Sequence, residues 1–128
     1  MKRLFVLLMM VGLMVGVVGC GDEFLYCLDH DGNLVWEKQR SDSLWDVSIE
    51  KNGDSLFIGG WDCKIHCLDK NGNDSWNFET GGYVRSVMPM ESGVLAGSHD
   101  GYLYRLSNSG QLLEKFETGE EITHYHIL

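Results

Sequence analysis

Self-similarity constrains this chain more than any other feature. Leu25 to Trp36, LYCLDHDGNLVW, returns forty residues later as Ile65 to Trp76, IHCLDKNGNDSW, and a third copy opens at Leu103, LYRLSNSGQLLE. A period near forty residues fits one small sheet that cannot bury its own apolar face without a neighbour. The expectation is an all-β repeat scaffold in which each unit leans on the next.

The middle unit gives the order of elements. Alternating apolar runs predict strands over 65–68, 74–78, 83–88 and 94–97, and the next copy opens with a strand over 102–106. Asp69-Lys70-Asn71-Gly72-Asn73 joins the first two, because Asp and Asn followed by Gly tolerate positive φ and close a hairpin. Sixteen glycines against one proline suit a chain of short strands and tight turns. Four antiparallel strands with a tryptophan at a fixed place describe a propeller blade. Leu44-Trp45-Asp46-Val47, Val84-Arg85-Ser86-Val87 and Ile122-Thr123-His124-Tyr125 occupy equivalent places. By this count there are about two full blades, an opening half blade with only its last strand pair, and a partial one after them. An arc of that kind leaves open sheet faces and an unpaired edge. The chain is therefore expected to be a fragment of a longer propeller or to complete its ring by self-association.

The segments YCLDHDGNLVW, CLDKNGNDSW, NFETGG and LAGSHDGYLYRL resemble the pyrroloquinoline-quinone-like (PQQ-like) propeller repeat, and the likeness covers essentially everything after residue 19. The resemblance implies a docking motif in which the glycine turn and tryptophan of adjacent blades lock together. It maps onto Asp29, Gly32 and Trp36, and again onto Asp69, Gly72 and Trp76. Ser107, Gly110 and Glu114 stand at those places in the third copy, so its aspartate and tryptophan are both replaced and the last interface is expected to be weaker. Enzymes of the family hold a quinone and calcium beside adjacent cysteines within a full ring. This chain has no adjacent cysteine pair, and too few repeats for such a ring. The fold alone does not carry the cofactor, and none is expected.

The first residues point to a location. Met1-Lys2-Arg3 is basic, and Leu4 to Val18 is apolar or glycine throughout, too short for a comfortable membrane-spanning helix. A basic start, a short apolar middle and small residues before a cut describe a secretory signal peptide over residues 1–19. Val17-Val18-Gly19-Cys20 resembles the bacterial lipobox, which implies lipid attachment at Cys20 and a membrane-anchored, extracytoplasmic lipoprotein made of residues 20–128. Loss of Lys2 and Arg3 takes the net charge of -9 to -11. Such a surface repels nucleic-acid phosphates.

Chemical constellations are sparse. Cys27, Cys63 and Cys67 remain once Cys20 is assigned to lipid, an odd number. Cys63 and Cys67 would lie about 13 Å apart on one strand, beyond disulfide reach. Cys27 and Cys67 fill one repeat position and are expected as small buried thiols. Asp29-His30-Asp31-Gly32-Asn33 has the oxygen content of a calcium loop without its glycine and glutamate spacing. His124 and His126 make at most half a metal site, and period-two alternation turns His66 away from Cys63 and Cys67. No nucleophile elbow, phosphate loop or zinc spacing occurs, so a non-catalytic protein is expected.

What remains is surface. The strands opening at Leu44 and Val84 are those nearest a propeller's channel, which places Trp45, Asp46, Arg85 and Ser86 near its mouth. Trp61 and His99 share the variable place of the Gly-x-Asp turn. Aromatic and arginine side chains dominate protein interfaces, so Trp45, Asp46, Trp61, Arg85 and His99 are the candidate partner-binding residues. The leading expectation is a scaffold for a protein partner in the cell envelope, with outer-membrane assembly as the analogous setting. The rival is a piece of a quinone- or saccharide-binding extracytoplasmic enzyme or ligand-binding subunit.

Overall fold

The computed structural model describes residues 3–8, 13–19, 23–29, 31–40, 44–50 and 53–118. The elements among them are all strands: β1 (Arg3–Leu8), β2 (Leu13–Gly19), β3 (Glu23–Asp29), β4 (Leu34–Arg40), β5 (Leu44–Ile49), β6 (Ser55–Gly60), β7 (Lys64–Asp69), β8 (Asp74–Glu79), β9 (Val84–Met90), β10 (Gly93–Ser98), β11 (Tyr102–Ser107) and β12 (Leu112–Glu117). Each run of four forms one antiparallel sheet in chain order. The inner strand β5 packs on β9 and also touches β1 and β2, as in blades set around an axis. The expected partial propeller of four-stranded blades is the observed architecture.

The opening blade differs from the expected half blade. Residues 3–8 and 13–19 form β1 and β2, and β2 pairs with β3 from Leu13 opposite Asp29 to Val18 opposite Phe24. The repeat frame accommodates them: Gly19 stands where Gly59 and Gly97 stand, and Asp22 where Asp62 and Asp100 do. A valine-rich run at that spacing suits a buried strand as well as it suits a leader.

Apolar side chains concentrate at the two seams between blades. Leu25 and Cys27 of the first blade meet Leu44, Val47, Leu56, Ile58 and Leu68 of the second. On its other face the second blade offers Phe57, Ile65 and Cys67 to Val84, Val87, Val94, Ala96, Tyr104 and Leu106 of the third. Burying a side chain such as Phe57 or Ile65 contributes about 1.5–3 kcal/mol. Neither sheet could hide these faces alone, which is why the blade has no meaning without its neighbour.

The docking residues lie at the rim of these seams. In all three sheets the outer strand pair slips register at one place: Cys27 pairs with Trp36 but Leu28 with Leu34, Cys67 with Trp76 but Leu68 with Asp74, and Arg105 with Glu114 but Leu106 with Leu112. A bulge of this kind re-aims the side chains beside it, here turning the indole toward the next blade. Trp36 Nε1–H donates to Lys70 O at 2.8 Å over the Gly72 turn. Trp76 Nε1–H likewise donates to Asn108 O at 2.8 Å over Gly110.

Asp29 and Asp69 shape the turns from within. Asp29 Oδ1 accepts the Asp31 and Asn33 amides at 3.0 and 2.9 Å, and Asp69 Oδ1 accepts those of Asn71 and Asn73 at 2.8 and 2.9 Å. In the third copy the Ser107 hydroxyl does the same for Ser109 and Gln111, at 3.3 and 3.1 Å. Trp76 comes from the second blade, and the turn it needs survives the change of Asp to Ser. Asp29, Asp31, Gly32 and Asn33 of the calcium-like run serve this hairpin turn. Where the first two blades pair a thiol with an indole, the third pairs Arg105 with Glu114, whose Oε1 lies 3.1 Å from both Nε and Nη2.

Candidate binding site

One end of the seam between the second and third blades gathers the residues with chemical character. The start of β5 supplies Trp45, the β6–β7 turn Trp61, the residue before β9 Tyr83, the start of β9 Arg85, and the β10–β11 turn His99. Trp61 stacks on Trp45 with centroids 5.0 Å apart and on Tyr83 at 4.9 Å. His99 leans against Tyr83 at 5.7 Å and Trp45 at 6.3 Å, closing a ring of four aromatic side chains. The Arg85 guanidinium carbon lies 3.6 Å from the Trp45 ring centroid, a close cation–π contact. Arg85 Nη1 lies 3.5 Å from His99 Nε2.

Four of the five expected partner-binding residues therefore meet in one place, and Tyr83 joins them. Tyr83 is assigned from sequence to the strand β9, whose first residue is in fact Val84. An aromatic residue directly after Gly81-Gly82, where the chain crosses between blades, was the available signal. Trp61 is 49% and Tyr83 40% exposed, the cluster's two outward members.

Asp46 takes a different position. Its Oδ2 accepts the Val87 amide at 2.9 Å across the seam and its Oδ1 accepts the Val47 amide at 3.0 Å. Ser48 Oγ adds a bond to Val87 O at 2.8 Å. The carboxylate ties the two inner strands β5 and β9 together. Burial pushes it above its ordinary pKa, against the two amides that favour its charge.

The aspartates of the two turns form the frame beneath. Asp62 Oδ1 accepts the Lys64 amide at 3.1 Å, and its Oδ2 lies 2.6 Å from His66 Nε2. Asp100 accepts from the amides of Gly81 and Tyr102 at 2.9 and 3.0 Å and from the Tyr104 hydroxyl. For Asp100 burial works to raise the pKa, but the Tyr104 hydroxyl, the Gly81 and Tyr102 amides and the Ser98 hydroxyl together hold it below its ordinary value. The Gly81 bond ties the β8–β9 connection to the β10–β11 turn, and the His99 amide in that turn donates to Tyr83 O at 2.9 Å. Asp62 and Asp100 were legible only as turn residues, since the hydrogen-bond partners His66 and Tyr104 differ between copies.

Cys27 and Cys67 are buried at the two seams, as small packing residues should be, and Cys63 is half-buried. His66 takes the opposite face of β7 from Cys67, toward Asp62 and Arg40. Among the described residues no group of three or more His, Cys, Asp or Glu is placed to hold a metal ion. Cys20, His30, His124 and His126 lie outside the described residues.

No family model matches the chain. An uncharacterised protein of Methanocaldococcus jannaschii is 37% identical over 75 residues, which are 58% of this chain and 9% of that protein. The lambda-carrageenase of Pseudoalteromonas carrageenovora is 29% identical over 101 residues, 70% of this chain and 10% of the enzyme. The human beta-alanine-activating enzyme is 30% identical over 115 residues, 82% of this chain and 10% of the enzyme. The chain thus spans about a tenth of the length of these curated relatives. Among solved structures the Dos1 propeller superposes with a TM-score of 0.77 at 13% identity, over 88% of this chain and 32% of that one. That likeness is one of fold.

Proposed function

We propose that this β-propeller protein is a non-catalytic scaffold of the PQQ-like type, lipid-anchored at Cys20 outside the cytoplasm, that holds a protein partner of the cell envelope at its aromatic end. The observation that carries the reading is the convergence of Trp45, Trp61, Tyr83, Arg85 and His99 on one inter-blade rim, with Trp61 and Tyr83 outward. Aromatic and arginine side chains of this kind supply most of the energy at protein interfaces. The test is the double variant Trp61→Ala with His99→Ala, assayed for capture of the same cross-linked partner from a membrane extract. Capture is lost with folding intact; unchanged capture refutes the site.

Anchoring and assembly belong to the same proposal. Processing after Gly19 removes β1 and β2 and leaves β3 with one open edge, which a second copy can pair. Metabolic labelling with palmitate should mark the protein and fail in Cys20→Ser. Size-exclusion chromatography of residues 20–128 should show an oligomer, and a stable, cooperative monomer would refute self-association.

The second reading is a ligand-binding portion of a saccharide- or quinone-using enzyme, favoured by the likeness to lambda-carrageenase. A thermal shift with quinone plus calcium, or with an oligosaccharide, would support it over the scaffold.

A further inference from the structure

The aromatic ring has a polarity of its own. Trp61 is stacked on both Trp45 and Tyr83, so its ring edge is the part left to face outward, and the edge of an aromatic quadrupole is positive. The polar atoms at the rim are donors as well. Trp61 Nε1 and Tyr83 Oη have no hydrogen-bond partner among the described residues. Arg85 faces an aromatic ring and an imidazole but no carboxylate among the described residues, and its buried Nε has no partner. None of the nearby acids contacts Arg85: Asp46 accepts from the amides of Val47 and Val87, Asp62 is held by His66 and Lys64, Asp100 accepts from Tyr104, Gly81 and Tyr102, and Glu79 lies opposite Lys64. In a chain of net charge -9, an arginine held by stacking with its fork unanswered is a local exception.

We infer that this rim receives an acidic peptide segment, an Asp or Glu carboxylate taken by Arg85 and its neighbouring side chain laid along the edges of Trp61 and Tyr83. The inference rests on the scaffold reading and names the partner's chemistry. Stacking on Trp45 orients the guanidinium in advance, which lowers the ordering cost of binding. A charge-assisted contact of this type is worth about tenfold in affinity or more.

The test uses the full chain on an array of terminally blocked decapeptides, each with one residue type fixed at the centre and mixed residues around it. Peptides centred on Asp or Glu should retain the protein about tenfold better than those centred on Asn or Gln. The preference should shrink as salt rises and vanish in Arg85→Met. The Asn and Gln arms and the salt series need no variant, so a poorly folded Arg85→Met leaves the test intact. Equal retention of acidic and amide-centred peptides overturns the inference. So does preferential binding of a sulfated oligosaccharide in a parallel arm with no acidic peptide retained. If acidic preference is absent while Trp61→Ala with His99→Ala still abolishes partner capture, the acidic-segment inference falls and the scaffold survives. If capture is also indifferent to that pair, both fall.

Discussion

Three glycines in equivalent turns form a graded probe of inter-blade docking. Gly32, Gly72 and Gly110 share positive φ angles of 84°, 82° and 85°, so Gly→Ala imposes nearly the same backbone strain at each. That strain is about 1–2 kcal/mol, offset by about 0.4–1 kcal/mol of unfolded-state entropy that Ala removes. Both contributions cancel when the three are compared. What differs is the indole above. A Cβ on Gly32 meets nothing within 4 Å, one on Gly72 comes to 3.0 Å from Trp36, and one on Gly110 to 2.6 Å from Trp76. Carbon atoms rest about 3.5–4.0 Å apart, so Trp36 must retreat by roughly 0.5 Å and Trp76 by about 1 Å.

The 2.8 Å bond from Trp76 Nε1 to Asn108 O would then stretch to about 3.8 Å, outside hydrogen-bond range, while that from Trp36 to Lys70 O would survive near 3.3 Å. Losing the first costs about 1 kcal/mol and loosened ring contacts about 1–2 more. The expected destabilisation is about 1 kcal/mol for Gly32→Ala, about 2 for Gly72→Ala and about 3–4 for Gly110→Ala. Urea denaturation of the full chain, followed by far-ultraviolet circular dichroism, reads the series as midpoint shifts at constant m. Equal shifts at all three sites, or the largest at Gly32, would refute the claim that the tryptophans lock the blades.

Further outcomes follow from the same contacts. Trp76→Phe keeps the ring over Gly110 but loses the donor to Asn108 O, and should cost about 1 kcal/mol in the same assay. Burial, and then the Asp100 carboxylate, push Tyr104 up to about 12. A raised acid pKa adds stability that is complete below the unfolded value near 10 and lost as pH rises through the folded one. Tyr104→Phe should therefore flatten the melting temperature over that alkaline window. Asp100 is held below its ordinary pKa, so its contribution is present above pH ~3.9 and lost as pH falls through the folded value; Asp100→Asn should flatten that acid limb. Burial pushes Cys67 up to about 11 and raises Cys27 as well. Burial and then the Asp62, Glu79 and Asp100 carboxylates raise Cys63 too, so access decides: with Cys27 and Cys67 buried and Cys63 half-buried, a disulfide thiol reagent mapped by mass spectrometry should label Cys63 in the native protein and reach Cys27 and Cys67 only on unfolding.

Internal repetition explains what could be read without coordinates. Positions that recur unchanged across copies, such as Gly32, Gly72 and Gly110 or Trp36 and Trp76, report the contacts every seam must make, and so the strands and docks were legible. Positions that vary on that frame are free to serve something else. Trp45 aligns with Arg85 and Trp61 with His99, and these four converge in space. Comparison of copies failed where one place has two physical uses. Asp46 and Ser86 are also an aligned, varying pair, yet Asp46 is spent on the Val87 amide, because an inner-strand carboxylate can tie a seam as readily as face a partner. The apolar run before Cys20 had the same ambiguity, its composition fitting both a leader and the strands β1 and β2. Tyr83 was hidden for a third reason. It aligns with Ser43 just outside a strand, and it is held by the His99 amide, which donates to Tyr83 O at 2.9 Å from the β10–β11 turn. An aromatic cluster of this kind is therefore written in the differences between repeats, and its completion depends on ties between elements that no single repeat contains.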